Sequence, residues 1–262
     1  MSLQDWMAEP IPVSPPGEDI PFPRECGEPL ADITHISPRI VYAASYYRQN
    51  LNGALSRCYA RRTVAGMLLD ALQSLPEEYG FLIFDSLRPV AVQQALYDSY
   101  LAELVRLHPD WSRERLDEEI DRFVALPRID YLRPAPHTTG GAVDLTLCRG
   151  GAPLPMGTGF DDFSPRAATR YLEEYKEFPG DGEAARNRRL LYHCMLAAGF
   201  VNYSGEWWHF SYGDRAWAGK TGGTPVYSYV EPPAKAPASG NGFSPQLYPE
   251  VQPAAPAEPA AL

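Results

Sequence analysis

The stretch Pro136-His-Thr-Thr-Gly-Gly-Ala-Val-Asp-Leu-Thr-Leu147 carries the strongest structural and chemical signal in the chain. His137 and Asp144 flank a Gly-Gly pair, and glycine permits the sharp turn through which both side chains can reach one ion. The alternating residues 142–147 predict a strand. Because a histidine followed by an aspartate is more often a hydrogen-bonded structural pair, a metal site needs further residues.

Two other segments supply such residues: Gly205-Glu-Trp-Trp-His-Phe210 and Asp85-Ser-Leu-Arg-Pro89. Two imidazoles, a carboxylate and a spare glutamate are a complete set for catalytic zinc, which takes three protein ligands and keeps a fourth position for water. Glu206 is then a general base rather than a ligand. Since Glu206 and His209 cannot share a face of a regular strand, their spacing predicts a turn or bulge.

Structural explanations compete with each of these assignments. Residues 206–209 can form a packed aromatic strand whose ends reach solvent, and Arg88 can belong to a surface ion pair near a helix N-terminus. Trp207 and Trp208 are expected to wall a pocket or to pack in the core. Taken singly, each segment favours the structural explanation, whereas the three together favour a metal site.

Helical and strand patterns alternate around these segments. Apolar residues at three- and four-residue steps predict helices, short apolar runs predict strands, and Gly199 predicts the end of the last helix. The expected helices are 60–75, 90–107, 110–125 and 186–198, and the expected strands are 81–85, 142–147, 200–203 and 209–212. Helices mixed with short strands, without a regular βαβ order, predict an α+β fold.

Composition excludes several classes of protein. The 262 residues are 45 % hydrophobic, which allows a substantial core, and 23 Lys+Arg against 33 Asp+Glu give a net charge of −10. An acidic chain is not expected to bind nucleic acid, and no apolar stretch reaches the ~18 residues that span a membrane. The absence of a signal-peptide pattern and four widely spaced cysteines predict a cytoplasmic protein with reduced thiols, although an even count leaves two disulfides open.

Proline-rich sequence marks both ends of the chain. Residues 1–24 are interpreted as a proline-rich N-terminal arm, extended over 8–24, and residues 25–230 as one folded domain. From Glu231 onward Pro, Ala, Ser and Gly dominate and the apolar periodicity disappears. Residues 231–262 are therefore predicted to be a disordered tail.

The ordered motifs resemble the D-alanyl-D-alanine dipeptidases, zinc peptidases best known from vancomycin-resistance clusters and related to the hedgehog/D,D-peptidase superfamily. The resemblance runs from about Tyr42 to Trp217 and includes three further segments, Asp85-Ser-Leu-Arg-Pro89, Pro155-Met-Gly-Thr-Gly-Phe-Asp161 and Asn187-Arg-Arg-Leu with Gly199-Phe200. It implies an α+β fold in which helices pack on a mostly antiparallel sheet, with zinc in a cleft.

The resemblance also implies a role for single residues. One zinc ion per chain would be bound by His137, Asp144 and His209. Glu206 would act as the general base, and Arg88 would stabilise the oxyanion together with the metal.

Substrate recognition is implied in the same way. Asp161 would pair with the free ammonium of D-Ala-D-Ala or a similar small dipeptide, and longer peptides have no ammonium to place there. Its alternative role is that of a turn or N-cap residue. Tyr42 would lie near the substrate or pack in the core. Ala135-Pro136 stands where the family often has a polar pair, so the contact to the substrate carboxylate stays open.

Three other functions remain as alternatives. A peptidoglycan D,D- or L,D-carboxypeptidase or endolysin-type peptidase would act on longer stem peptides, and Asp161 and the missing export signal argue against it. A non-catalytic zinc-binding module of the same fold would need neither Glu206 nor Arg88. A non-haem iron oxygenase also uses two histidines and a carboxylate, but its carboxylate usually follows the first histidine by two residues. The oligomeric state is not predicted.

Overall fold

The structure, a computed structural model, describes residues 2–14, 20–121 and 123–233. Its α-helices are α1 Leu3–Ala8, α2 Ser45–Arg48, α3 Arg62–Gln73, α4 Val90–Leu107, α5 Arg113–Ile120, α6 Tyr171–Glu174, α7 Asp181–Ala197 and α8 Arg215–Thr221. Its strands are β1 Leu30–Asp32, β2 Ile40–Tyr42, β3 Tyr59–Arg61, β4 Tyr79–Asp85, β5 Ala142–Arg149, β6 Ala152–Pro153, β7 Val201–Asn202 and β8 His209–Ser211. Pro136–Thr139 and Pro165–Ala167 form short 3-10 helices.

The main sheet contains six strands. Its order is β2-β4-β5-β8-β7, and β6 pairs with β5 outside this path. The β2–β4 pair is parallel and the other pairs are antiparallel. β1 and β3 form a separate antiparallel pair. The predicted α+β class with a mostly antiparallel sheet is therefore confirmed.

β5 lies in the centre of the sheet and is buried along seven of its eight residues. Val143, Leu145 and Leu147 belong to the main hydrophobic core. Because successive side chains of a strand point to opposite faces, Asp144 points away from the face that Val143 and Leu145 occupy. The central strand thus presents a carboxylate to one face while its alternate residues anchor the core.

Helices α3 and α7 pack against each other and against the sheet. Both carry an apolar face, as the periodicity predicts, and its buried residues join the same core, among them Val64, Leu68 and Leu72 of α3 and Leu190, Leu191 and Met195 of α7. Gly199 follows α7 with a φ of +98°, a left-handed conformation that favours glycine at the end of a helix. The predicted helix end is therefore confirmed.

A second hydrophobic cluster joins α4 to α5. Tyr97, Leu104, Leu116 and Ile120 form its buried centre. Phe163 packs against this cluster from the loop that follows β6. The helix pair is therefore attached to the segment that carries Asp161.

The beginning of the chain also packs on the domain. α1 was not predicted from the sequence, and it forms because Ser2 and Asp5 make a reciprocal capping box. Trp6 of α1 is buried in the main core, and α1 contacts α7. Residues 15–19 of the predicted arm and 234–262 of the predicted tail lie outside the described residues.

The predicted elements are present in the structure, and their ends differ from the predicted ones by up to five residues, as in the 110–125 helix, which is Arg113–Ile120. α4 has the predicted bounds, and α7 begins five residues earlier than expected. Among the described residues, no helix is both long enough and apolar enough to cross a membrane. All four cysteines are free thiols, and three of them are buried.

Candidate metal centre

Three buried side chains from separate elements meet at one point. His137 lies on the first 3-10 helix, Asp144 on β5, and His209 at the beginning of β8. One ligand atom from each residue can be chosen so that all lie within 4.8 Å of one another. The residues expected from the sequence are thus brought together.

The Gly-Gly pair explains how two of them can meet. Gly140 adopts a φ of +72°, and a Cβ on Gly141 would lie 2.5 Å from the Tyr212 carbonyl oxygen. The first position needs a left-handed backbone, and the second lets β5 approach β8 closely. Both glycines are therefore required for the turn from His137 into β5.

The donor atoms are oriented as a metal would need them. His137 Nδ1 lies 2.7 Å from the Ser86 carbonyl oxygen, which can only accept, so Nδ1 carries the proton and Nε2 has the free lone pair. His137 Nε2 lies 3.1 Å from Asp144 Oδ2 and 3.0 Å from His209 Nδ1. Asp144 Oδ1 lies 3.0 Å from His209 Nδ1. Two imidazole nitrogens and one carboxylate oxygen fit a divalent metal ion such as zinc.

The charges of the three groups stabilise one another. Burial opposes ionisation of Asp144, yet the neighbouring imidazoles His137 and His209 hold its pKa below the ordinary value. Burial likewise disfavours charge on His209, and Asp144 raises the pKa of that imidazole. A buried carboxylate that stays ionised attracts a cation, which a bound metal ion would supply.

Glu206 lies beside the three residues, on the turn between β7 and β8. Its Oε2 is 3.9 Å from His209 Nδ1. The predicted turn is confirmed, and Asn202 Nδ2 holds it by donating to the carbonyl oxygens of Glu206 and His209, each at 3.0 Å. Burial raises the pKa of Glu206 to about 7. A carboxylate with such a pKa is suited to exchange protons near neutral pH.

The two tryptophans of this turn pack inward. Trp208 is 1 % exposed and belongs with Trp207 to the main core. Trp207 Nε1 donates to Thr158 Oγ1 at 2.8 Å. The expectation that they pack in the core is confirmed, and they attach the Glu206 turn to the loop that carries Asp161.

Arg88 contacts the metal-binding group directly. Its NH2 lies 3.3 Å from Asp144 Oδ2, and its Nε donates to Asp85 Oδ2 at 2.7 Å. Its NH1 donates to Gln93 Oε1 at 3.0 Å. The arginine is largely buried, so it is not the surface ion pair of the structural alternative.

Asp161 is joined to Arg88 through a tyrosine. The Tyr46 hydroxyl lies 3.0 Å from Asp161 Oδ2, and Arg88 NH2 donates to that hydroxyl at 3.2 Å. Asp161 has a φ of +58°, which a residue with a Cβ rarely adopts. Phe160 stacks on Phe84 at 4.6 Å between ring centroids and fixes this backbone. Burial raises the pKa of Asp161 to about 8.

Tyr42 lies at the edge of this arrangement. Its hydroxyl donates to the Leu55 carbonyl oxygen at 3.2 Å. It lines a small pocket together with Tyr46, Asp85 and Arg88. The structure thus places Tyr42 on a pocket that Arg88 also lines, and its ring packs against the main core.

Sequence reasoning missed three parts of the site. Tyr46 stands four residues after Tyr42, and no spacing rule marks it out from its neighbour Tyr47. The Ser86 carbonyl contacts His137, 51 positions further along the chain, and Gln93 holds Arg88 through a side-chain contact that no spacing rule marks out. Residues of this kind are visible only after the chain has folded.

The chemistry available here is that of metal-assisted hydrolysis. Three groups can hold a metal ion, and a carboxylate with a pKa near 7 stands beside them. The largely buried guanidinium of Arg88 contacts Asp144, and the Asp161 carboxyl is joined to that guanidinium through Tyr46. These are an acid–base group, an electrostatic stabiliser and a group that can bind a cation.

Comparisons with known proteins agree with this chemistry. A family model described as D-ala-D-ala dipeptidase, of the M15 peptidases, matches residues 31–226. A D-alanyl-D-alanine dipeptidase of Synechocystis is 33 % identical over 74 % of this chain and 86 % of its own length. One from Enterococcus faecium is 28 % identical over 60 % of this chain and 74 % of its own length.

Structural likeness to solved proteins is more distant. A zinc complex of the D,D-pentapeptidase VanY from a VanB-type resistance cassette aligns with a TM-score of 0.40 and 15 % identity. That alignment covers 79 % of this chain and 88 % of the other. The family assignment rests on the sequence matches, and by them the chain belongs to the D-ala-D-ala dipeptidase family of M15 peptidases.

Proposed function

We propose that the protein is a zinc-dependent dipeptidase that hydrolyses D-Ala-D-Ala, or a similar small D,D-dipeptide, to free D-amino acids. One observation carries the proposal, a continuous chain of contacts from His209 through Asp144, Arg88 and Tyr46 to Asp161. This chain joins a metal-binding group to a partly buried carboxyl. The two ends correspond to the scissile amide and the ammonium of one short substrate.

One zinc ion per chain is held by His137 Nε2, Asp144 and His209 Nδ1. When bound, zinc supplies Lewis-acid polarisation of the amide carbonyl and makes water easier to deprotonate. The carbonyl of Ser86 fixes the ring of His137, so the lone pair of Nε2 is directed at the ion. Zinc is favoured because mixed histidine and carboxylate ligands are typical of catalytic zinc sites.

Glu206 is the general base and then the general acid. Its carboxylate takes a proton from the attacking water and later gives that proton to the departing amine nitrogen. Burial raises the pKa of Glu206 and opposes the effect of the nearby metal ion, so neither protonation state is strongly disfavoured and both transfers are possible. The short turn held by Asn202 keeps Glu206 beside His209.

Arg88 stabilises the oxyanion that develops on the amide carbonyl. Its guanidinium is fixed in advance by Asp85 and Gln93, so little reorganisation is needed when negative charge appears. One N–H of NH2 donates to Tyr46 and the other lies against Asp144, and we assign the oxyanion contact to this second N–H, the one nearest the metal-binding group.

Asp161 binds the substrate ammonium. Burial disfavours its charged form, and an ammonium that enters beside it restores that form by direct pairing. A blocked or extended N-terminus would leave the carboxyl without this partner. We therefore infer selectivity for free dipeptides over longer stem peptides. Tyr42, beside Arg88, is proposed to line the substrate site, and a cytoplasmic location is part of the same proposal.

The proposal is tested by measuring D-alanine released from D-Ala-D-Ala and from N-acetyl-D-Ala-D-Ala by the zinc-loaded full chain. Glu206→Gln keeps the shape of the side chain and removes the base, and Glu77→Gln on an exposed loop is the matched control. We expect release from the free dipeptide alone. The loss for Glu206→Gln should be about 10²- to 10⁴-fold, with zinc content unchanged.

Other outcomes lead to other conclusions. Release from the blocked substrate at a comparable rate would favour the carboxypeptidase alternative. Stoichiometric zinc without hydrolysis of either substrate would favour the non-catalytic zinc module. Wild-type rates in Glu206→Gln would reject its assignment as the base.

A further inference from the structure

Tyr46 connects the two charged groups that the proposed reaction uses at opposite ends of the substrate. Its hydroxyl lies 3.0 and 3.3 Å from the two Asp161 carboxyl oxygens and 3.2 Å from Arg88 NH2. Asp161 and Arg88 are 73 positions apart in the sequence. The tyrosine is thus a bridge between two distant parts of the chain.

Hydrogen-bonding rules determine what this bridge does. A guanidinium can only donate, so Arg88 uses a lone pair of the hydroxyl. The single hydroxyl proton is then free to point to Asp161. The hydroxyl therefore donates to the Asp161 carboxyl, most closely to Oδ2 at 3.0 Å, and the remaining lone pairs of the two oxygens stay available to a ligand.

Packing holds the bridge in place. Tyr46 is 3 % exposed, and its ring lies 5.1 Å below the Arg88 guanidinium carbon and 5.9 Å from the Phe160 ring. It stands on α2, which begins directly after Ala44, a residue with a φ of +51°. The neighbouring Tyr47 is 52 % exposed, so this short helix presents one tyrosine to the site and the other to the outside.

The conformation of Asp161 explains why its carboxyl needs a contact that orients it. Asp161 lies in the left-handed region with a φ of +58°, and the terminal torsion of an aspartate carboxyl is broad, so the backbone alone does not orient its oxygens. The Tyr46 hydroxyl contacts both oxygens and limits the orientations that Asp161 can adopt.

We infer that Tyr46 is a positioning residue for recognition of the substrate amine: it aligns the Asp161 carboxylate with Arg88, so that one dipeptide meets both groups at once. This inference rests on the proposed function. It assigns the selectivity for a free N-terminus to the pair Tyr46–Asp161 rather than to Asp161 alone.

The test uses Tyr46→Phe, which removes the hydroxyl and keeps the ring, with Tyr47→Phe as the matched control. Steady-state kinetics with D-Ala-D-Ala give kcat and KM for the zinc-loaded full chain. Propionyl-D-alanine, which is the same dipeptide without its amine, is used as a competitive inhibitor to give Ki. We expect Tyr46→Phe to raise KM by about 10- to 100-fold, the range for a hydrogen bond to a charged group, and to leave Ki within twofold.

A double variant tests whether Tyr46 changes KM through Asp161. In an Asp161→Asn background, Tyr46→Phe should change KM less than twofold, because the group that it positions is no longer charged. Tyr47→Phe should behave as the wild type in every measurement. Thermal melting of all variants checks that the fold is retained.

Each contrary result has a distinct meaning. An unchanged KM in Tyr46→Phe would overturn the inference and leave the proposed function intact. An equal rise of KM and Ki would show a general structural role and would also overturn the inference. A rise of KM in the Asp161→Asn background as large as that in the wild-type background would overturn it as well. A wild-type enzyme without dipeptidase activity would reject the proposed function itself and this inference with it.

Discussion

Asp144 and His209 are direct partners across β5 and β8, and the carboxylate Oδ1 of one lies 3.0 Å from the imidazole Nδ1 of the other. On its other side Asp144 is paired with Asp85 of β4. Sheet register therefore places two proposed zinc ligands and the carboxylate that anchors Arg88 in one row. Because a one-residue slip would turn these side chains to the other face, the metal site depends on the register of the whole sheet.

The first prediction concerns the carboxylate in this row. Asp144→Asn keeps the size of the side chain but removes the charge that attracts the ion. We expect zinc affinity to fall by more than about 100-fold, the upper end of the loss caused by changes just outside a metal's ligands. Zinc content after dialysis against a competing chelator measures this. Asp70→Asn on the exposed side of α3 is the control, and equal zinc retention in both variants would contradict the ligand assignment.

Local patterns determined much of the fold in advance. The 90–107 helix and the strand around Asp144 follow from periodicity, because one apolar face and one alternating run are enough to specify them. α1 was missed because its capping box consists of ordinary polar residues, Ser2 and Asp5, ahead of a proline-rich run. Its stability comes mainly from burying Trp6 on α7, which is a tertiary contact.

The metal site likewise contains residues that the sequence predicts and residues that only tertiary contacts reveal. His137, Asp144 and His209 could be selected because their residue types are typical of zinc ligands and because glycines and a turn bring them together. Tyr46 and the Ser86 carbonyl could not, since a tyrosine hydroxyl and a backbone oxygen are common and acquire a role only through their neighbours. The sequence specifies which groups react, whereas packing specifies which groups orient them.

Arg88→Lys separates charge from geometry. Lysine keeps the positive charge, but it cannot reach Asp85, Gln93 and Asp144 together as the guanidinium does. We expect kcat to fall by about 10²- to 10³-fold, as when a donor to an oxyanion is removed. Stopped-time assays of D-alanine release measure kcat, and Arg113→Lys on the exposed face of α5 is the control. A kcat equal to that of the wild type would mean that positive charge alone suffices.

The rate should also depend on the ionisation of Glu206. Burial raises its pKa from 4.5 to about 7, and a positive metal ion nearby lowers it again. The base acts only when it is ionised, so kcat should decrease as the pH falls through a midpoint between 4.5 and about 7. A plot of log kcat against pH with one acidic limb in this window agrees with the assignment. A kcat independent of pH from 4.5 to 7 contradicts it.

Ionisation of Asp161 should add a second acidic limb, which appears in the pH profile of kcat/KM but not in that of kcat. This ratio reflects ionisation in the free enzyme, whereas kcat reflects the enzyme with substrate bound. The pKa of Asp161 is about 8 in the free protein, and the bound ammonium keeps the carboxylate ionised. We therefore expect kcat/KM to fall below pH 8 in the wild type. The same limb should be absent in Asp161→Asn, and its persistence there would assign it to another group.

The raised pKa of Asp161 also predicts a stability cost of substrate recognition. Burial moves the pKa from 3.8 in the unfolded chain to about 8 in the folded one, so the folded state binds a proton that the unfolded state has released. The neutral acid therefore contributes to the free energy of unfolding in full below pH 4, and this contribution, on the order of 5 kcal/mol, is lost as the pH rises to about 8.

The Asp161→Asn variant tests this cost, because asparagine does not titrate. The free energy of unfolding of metal-free Asp161→Asn should therefore exceed that of the metal-free wild type by an amount that grows from pH 4 to 8. Urea denaturation at pH 4.5, 6 and 8 measures this difference. A difference in the free energy of unfolding that stays constant with pH would mean that the carboxyl is better solvated than its burial indicates. A difference that grows with pH would show that the ionised carboxylate, which can bind a cation, destabilises the folded protein at this position.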